Sequence, residues 1–215
     1  MKTEIGSRGI CSLAFFSYVV FLSGCGASFQ VAGYVERGRG AMLAGDNQAA
    51  LANFQSALQT DPNYVYGSVL RAGVLSYLGR AQYLTGQLGQ ARETLEKAIA
   101  QDRDDNVARL YLGLALARQA DRGRSVKEIG AGMKGIRDFV NYIKSTFSSS
   151  FGQFWDQNRS IRDLIEKDLA MISSGNIDWQ QLISDGETLG KKIEAEAALA
   201  RREEENHLDM MNRGR

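Results

Sequence analysis

The chain has 215 residues, 44% of them hydrophobic and 24% charged, and its 26 basic residues nearly balance its 25 acidic ones. A net charge so near zero excludes wholesale nucleic-acid binding, which normally shows as a basic excess. A single proline, many Ala, Leu, Gln, Glu and Arg residues, and the lack of any alternating β-branched run bounded by turns exclude a β-rich body and predict an all-α protein.

In chain order, the first element is a segment of targeting type. Lys2 and Arg8 supply a positive start, and residues 10–22 (ICSLAFFSYVVFL) form an apolar stretch of signal-peptide length. That stretch is shorter than the roughly 20 residues needed to cross a bilayer. It ends in Leu22-Ser23-Gly24-Cys25, which resembles the bacterial lipobox. The resemblance implies a diacylglycerol on the Cys25 sulfur, cleavage just before that residue, and acylation of the new amino group. Three buried chains at about 0.8 kcal/mol per CH₂ would make the anchor effectively permanent. Gly26, rather than Asp, follows the cysteine, and in lipoproteins this favours the outer membrane. The competing readings are an ordinary signal peptide cut near Ala27 and a short buried helix. With 1–24 removed, Cys11 is lost and Cys25 is blocked, leaving no thiol for a disulfide, a metal or nucleophilic chemistry. Residues 25–30 would form a short lipidated tether.

Internal repetition governs the next segment, 31–140. Gly45-Asp46-Asn47-Gln48-Ala49-Ala50 with Phe54, Ala57 and Leu58 superimposes, at an offset of 41, on Gly86-Gln87-Leu88-Gly89-Gln90-Ala91 with Leu95, Ala98 and Ile99. Small, large and small residues at i, i+4 and i+7 share one helix face. The pattern resembles the second helix of a tetratricopeptide repeat (TPR). Tyr34, Gly38, Ala50, Phe54, Ala57 and Pro62 match the family in the first copy. Leu75, Leu78, Gly79, Ala91, Leu95 and Ala98 match in the second, where Arg103 stands in place of the closing proline. The spacing exceeds the family's 34 residues, which predicts an elongated helix from about Val65 to Thr85. A third, degenerate copy uses Leu112, Gly113 and Leu116, then Ser125, Ile129 and Gly132. A generic antiparallel bundle is the alternative to a TPR-like superhelix.

The resemblance implies a groove lined by the first helices of the repeats. The positions that match its lining are Val35, Arg39, Met42 and Leu43, then Ser76, Arg80, Tyr83 and Leu84, then Leu110 and Arg118. Arg39, Met42, Arg80, Tyr83 and Arg118 are the candidate partner-binding residues. The arginines suit carboxylates, and Met and Tyr supply adaptable contact. The family's carboxylate-clamp pattern of lysines and asparagines is absent.

Residues 141–215 form a helical extension with a charged tail. Phe139, Tyr142, Ile143, Phe147, Phe151, Phe154 and Trp155 make an aromatic stripe, either core against the last repeat or a patch for a partner. Ser160-Ile161-Arg162-Asp163 has capping-box form. Ile161, Leu164, Ile165, Leu169 and Ile172 predict an amphipathic helix ending near Gly175. Asp178 could cap a further one bearing Trp179, Leu182, Ile183, Leu189 and Ile193. From Lys191 onward the chain reads as a solvated helix.

No pattern rises to a catalytic site, so no enzyme activity and no cofactor or metal is expected. Gly130 to Gly135 fits GxGxxG, with Asp156 at a ribose-binding distance, but 125–129 is a poor strand. His207 lies alone among acids of the tail, where a metal would need three or four convergent ligands. The expectation is a lipid-anchored, periplasm-facing scaffold or assembly adaptor that docks a protein or peptide of the cell envelope. A small-molecule or transport accessory subunit with an apolar channel is the alternative. The oligomeric state is left open.

Overall fold

The computed structural model describes residues 23–67 and 69–213, with side chains for 28–67, 69–203, 210 and 213. The fold is all-α and TPR-like. Three antiparallel helix pairs follow one another: α1 (Ser23–Ala44) with α2 (Asn47–Thr60), α3 (Val74–Leu84) with α4 (Leu88–Gln101), and α5 (Asn106–Arg118) with α6 (Arg122–Thr146). A 3₁₀ turn (Phe151–Phe154), α7 (Ser160–Ser174) and the long α8 (Trp179–Arg213) complete the chain. No helix among the described residues is long and apolar enough to cross a membrane.

Each pair is closed by the same packing device. A first-helix glycine leaves room for a large second-helix side chain: Gly38 under Phe54, Gly79 under Leu95, and Gly113 under Ile129. A methyl group at any of these glycines would lie 2.6 Å from the partner side chain. The third pair, read from sequence as degenerate, therefore keeps the interlock of the other two. Its turn differs. Gly45 (φ 83°) and Gly86 (φ 80°) end the first helices of pairs one and two in the left-handed conformation, and Ala120 (φ 64°) occupies that place in pair three. Asp46 and Asp121 then open α2 and α6 by accepting the backbone N–H of Ala49 and Arg124.

Between the first two pairs the expected elongated helix is absent. Val65–Tyr66 and Ala72–Gly73 pair instead as a two-stranded antiparallel hairpin, β1 and β2. The reason is local: Tyr64, Val65 and Tyr66 favour extended backbone, Gly67 takes φ 99°, and Gly73 is extended at the start of α3. The extra residues in the first period thus form a hairpin arm that reaches over the repeats.

Other expectations are refined. Residues 25–30, anticipated as a tether, are helical and belong to α1. Residues 1–22 of the expected signal segment lie outside the described residues, as do the side chains of Cys25 and His207. Helix α7 is not opened by a Ser160 capping box. The buried Asp156 carboxylate accepts the Ile161 and Arg162 N–H groups and the Arg162 Nε at 2.8 Å, while Ser160 Oγ accepts a hydrogen bond from Lys192. Gly175 ends α7 in the left-handed conformation, and Asp178 caps α8 through the Gln181 N–H. GxGxxG lies inside α6 with no strand before it, and Gly132 closes against the backbone of α5 at Leu110.

The extension is not a separate layer. Trp155 is fully buried against Phe139, and Phe147 stacks on Phe151, so most of the aromatic stripe is core, while Tyr142 and Phe154 stay exposed. Helix α8 returns along the face made by the first helices α1, α3 and α5. It buries Leu182, Leu189 and Ile193 there.

Candidate partner-binding groove

The first helices α1, α3 and α5 share one face, and the chain's own α8 lies along it. Close approach is made possible by two glycines one turn apart: Gly186 lies over Leu114 and Gly190 over the Tyr111 ring. Two glutamates on the same helix, seven residues apart, then reach the groove side chains.

The inner contact is a buried ion triad. Glu194, 1% exposed, accepts from Arg39 Nε through one oxygen and from Arg80 Nη2 through the other, the latter at 2.9 Å. Arg39 and Arg80 are 2% and 1% exposed. The Arg80 guanidinium lies between the Tyr77 and Tyr111 rings, 5.2 and 5.4 Å from their centres, a geometry in which the ring faces attract the cation. Burial alone would raise the Glu194 carboxyl, but Arg80 and Arg39 beside it bring it below the usual carboxylate range. Glu194 in turn raises the Arg80 guanidinium against the lowering effect of burial. Glu194 and Arg80 therefore face each other as charged groups. On its outer side Tyr66 of the hairpin lies under Arg39 and Arg201, and its hydroxyl donates to Glu36.

The outer contact is half open. Tyr83 Oη and Arg118 Nη2 both donate to Glu187 Oε1 at 2.5 Å, and Arg118 Nε donates to Tyr83 Oη at 2.8 Å. Burial and then the Glu187 bond push the Tyr83 hydroxyl up, so it stays a neutral donor. The Arg118 side chain is still 47% exposed. Next to it is an open depression lined by Arg118, Arg122, Trp179, Ile183 and Glu187. There the Arg122 guanidinium sits 4.0 Å from the centre of the Trp179 ring.

The structure thus brings Arg39, Arg80, Tyr83 and Arg118 together on one face and corrects the picture of them as an open lining. Arg39, Met42, Arg80 and Tyr83 are buried, and only Arg118 remains exposed. Met42 packs in the core of the first pair, with Val35 and Phe54. Glu187, Glu194, Tyr77, Tyr111, Arg122 and the placement of Trp179 were not foreseen. The signal lay in α8 itself, where Gly186 and Gly190 share a stripe with Leu182, Leu189 and Ile193 and the two glutamates flank it.

A family model of the tetratricopeptide repeat matches residues 41–116, from the end of α1 through most of α5. No curated protein and no solved structure matches the chain. TPR-like repeats that form a helical scaffold, a class that generally mediates contacts between proteins, are therefore what the fold and the match define.

Proposed function

We propose that this chain is a non-catalytic scaffold or assembly adaptor, held on the outer membrane through lipid on Cys25, that docks a protein partner at the open end of its groove. The observation that carries the docking role is the clasp of Tyr83 and Arg118 on Glu187. The repeat face reads a glutamate on an amphipathic helix, and beside that clasp Arg118, Arg122, Trp179 and Ile183 leave cationic and aromatic surface uncovered. Exposed guanidiniums beside an aromatic ring suit an acidic, amphipathic segment. Arg39, Arg80 and Tyr83 serve that surface indirectly by holding α8 in place, and Met42 packs within the first pair.

The anchor reading is supported by the positive start, the apolar run and Leu22-Ser23-Gly24-Cys25. With Cys25 itself inside α1, the lipid would sit almost directly on the first repeat helix. Partners would then be confined to the same membrane surface.

The test combines both parts. A photo-reactive residue at Ile183, crosslinked in native membranes and read by mass spectrometry, should capture a discrete protein, and Arg122→Glu should abolish the adduct. Cys25→Ser should release the protein from membranes without detergent. An adduct unaffected by Arg122→Glu would refute the docking site, and unchanged membrane retention would refute the anchor.

A further inference from the structure

The first and last pairs of the array overshoot the middle one, and both do so on the same edge. Helix α6 has 25 residues against 14 in α2 and 14 in α4. Each of the three starts seven residues before its interlocking side chain (Phe54, Leu95 or Ile129), so the whole excess of α6 lies at its C-terminal end. That excess carries α6 about 16 Å past the ends of the other two. Helix α1, with 22 residues against 11 in α3 and 13 in α5, overshoots at its N-terminal end. Because the helices of a pair are antiparallel, the start of a first helix and the end of a second share one edge. Cys25 stands thirteen residues before Gly38 and Tyr142 thirteen after Ile129, which puts both about 20 Å to that side of the interlocks. The end of α6 is also where aromatic surface is left uncovered. Tyr142 is 57% exposed and Phe154 37%. Tyr142 meets Phe147 edge-on, and Phe147 stacks on Phe151. The 3₁₀ turn bearing Phe151 and Phe154 folds back at Gly152 onto the carbonyls of Ile143 and Phe147, so the rings stay level with the last turns of α6. On α1, one turn after Cys25, Phe29 is 83% exposed.

We infer that this edge lies on the lipid bilayer, with Tyr142, Phe147, Phe151 and Phe154 at its interface, and that the docking depression faces away from it. The inference rests on the lipid anchor proposed at Cys25 and adds an orientation to it. Cys25 is part of α1, so no free tether separates the acyl chains from the repeats. Whatever else stands at the height of Cys25 then stands at the bilayer surface. One attachment point leaves the tilt of the body free, and a second contact at the far end of the array removes that freedom. The aromatic cluster has the chemistry for it. A tyrosine ring favours the headgroup level, where one end is apolar and the other wet, and the phenylalanines supply apolar area beside it. Arg118 and Arg122 lie on the other side of the interlocks, five residues after Gly113 and seven before Ile129. The depression they line therefore stands on the order of 30 Å from the bilayer-facing edge, open to a partner's acidic segment rather than to lipid.

The test places a photo-reactive residue singly at Phe29, Tyr142, Phe154 or Ile183 of the lipidated protein, in vesicles of phosphatidylethanolamine and phosphatidylglycerol, and reads lipid adducts by mass spectrometry. None of the four side chains is fully buried, and an unchanged Tm checks that each variant folds. Phe29, beside Cys25, reports the anchor alone. Lipid adducts are expected at Phe29, Tyr142 and Phe154, and none at Ile183. Adducts at Phe29 with none at Tyr142 and Phe154 overturn the orientation and leave the anchor standing. Adducts at Ile183 overturn it as well. A Phe29 probe that captures no lipid refutes the anchor, and the orientation falls with it. In native membranes, Tyr142 and Phe154 probes that capture a protein in place of lipid would assign the aromatic patch to that partner and overturn the bilayer contact.

Discussion

Replacing Glu194 with alanine should be the most damaging single change on the groove face. The substitution removes a carboxylate that is 1% exposed and strands two arginines whose side chains are at most 3% exposed. Arg39 would keep its contact with Glu36, at 3.2 Å on the exposed side. Arg80 would keep its contacts with Tyr77 and Tyr111, and its Nε is already without a partner. Removing one member of a buried ion pair typically costs about 3–5 kcal/mol. In a body of this size that lowers Tm by on the order of 10 °C. Thermal and urea unfolding followed by far-ultraviolet circular dichroism would measure it. The control is the triple change Arg39→Met, Arg80→Met, Glu194→Leu, which removes the charges together and should recover most of the loss, since apolar replacements of buried ion clusters are often neutral or stabilising. A Glu194→Ala protein within about 1 kcal/mol of the parent would refute the reasoning. So would a triple variant as unstable as the single one, which would place the cost in packing rather than in stranded charge.

Three further outcomes follow from the same structure. Ala120→Gly should stabilise the chain by about 0.5–1 kcal/mol, because Ala120 is exposed at φ 64° where its two repeat equivalents are glycines; urea titration reads the change, and a loss of stability would contradict it. Gly113→Ala should cost about 1–3 kcal/mol, since the new methyl would meet both the Ile129 side chain and its backbone nitrogen, whereas Gly40→Ala, with nothing within 4 Å on the same kind of helix, should gain up to about 1 kcal/mol; equal effects at the two sites would argue against the interlock. The buried Asp168 carboxyl on α7 is pushed up from 3.8 to about 7, first by burial and then by Asp185, which itself accepts from Lys167 and Gln181. The folded chain then binds more protons than the unfolded one between those values, so this group's contribution is complete below pH 4 and is lost as pH rises toward 7. Asp168→Asn should flatten that part of the stability profile, and an unchanged profile would exclude Asp168 as its source.

The repeats were legible because their packing is periodic. Gly38, Gly79 and Gly113 stand 16 residues before Phe54, Leu95 and Ile129, and a small-over-large interlock needs no information beyond those spacings. The hairpin arm was not legible as such, because the longer first period shows only that residues are added. Whether they extend a helix or leave it depends on Gly67 at φ 99° and on Tyr66 finding Arg39, Arg201 and Glu36, and these are tertiary facts. The groove was half legible. Arg39, Arg80, Tyr83 and Arg118 were placed on one face by their repeat positions, and carboxylates were the expected ligands.

What sequence concealed was the source of those carboxylates. From Lys191 onward α8 carries charge on most of its surface, and a glutamate with lysines three and two residues before it, as Glu194 has, reads as a solvated position under any rule of periodicity. Its burial is decided by two complementary guanidiniums more than a hundred residues upstream, and by Gly186 and Gly190, which bring the helix axis close enough for the carboxylate to reach them. The same argument separates the two ends of the groove. A glutamate sealed by Arg39 and Arg80 cannot exchange its partners without stranding buried charge. Glu187, shared by a neutral tyrosine and a half-exposed arginine, can exchange at the modest cost of an exposed ion pair. A competing acidic segment therefore has a foothold at the Arg118 and Arg122 end and none at the Arg39 end. Substitutions at Arg122 and Trp179 should change partner capture without unfolding the protein, whereas substitutions at Arg39 and Arg80 should change both.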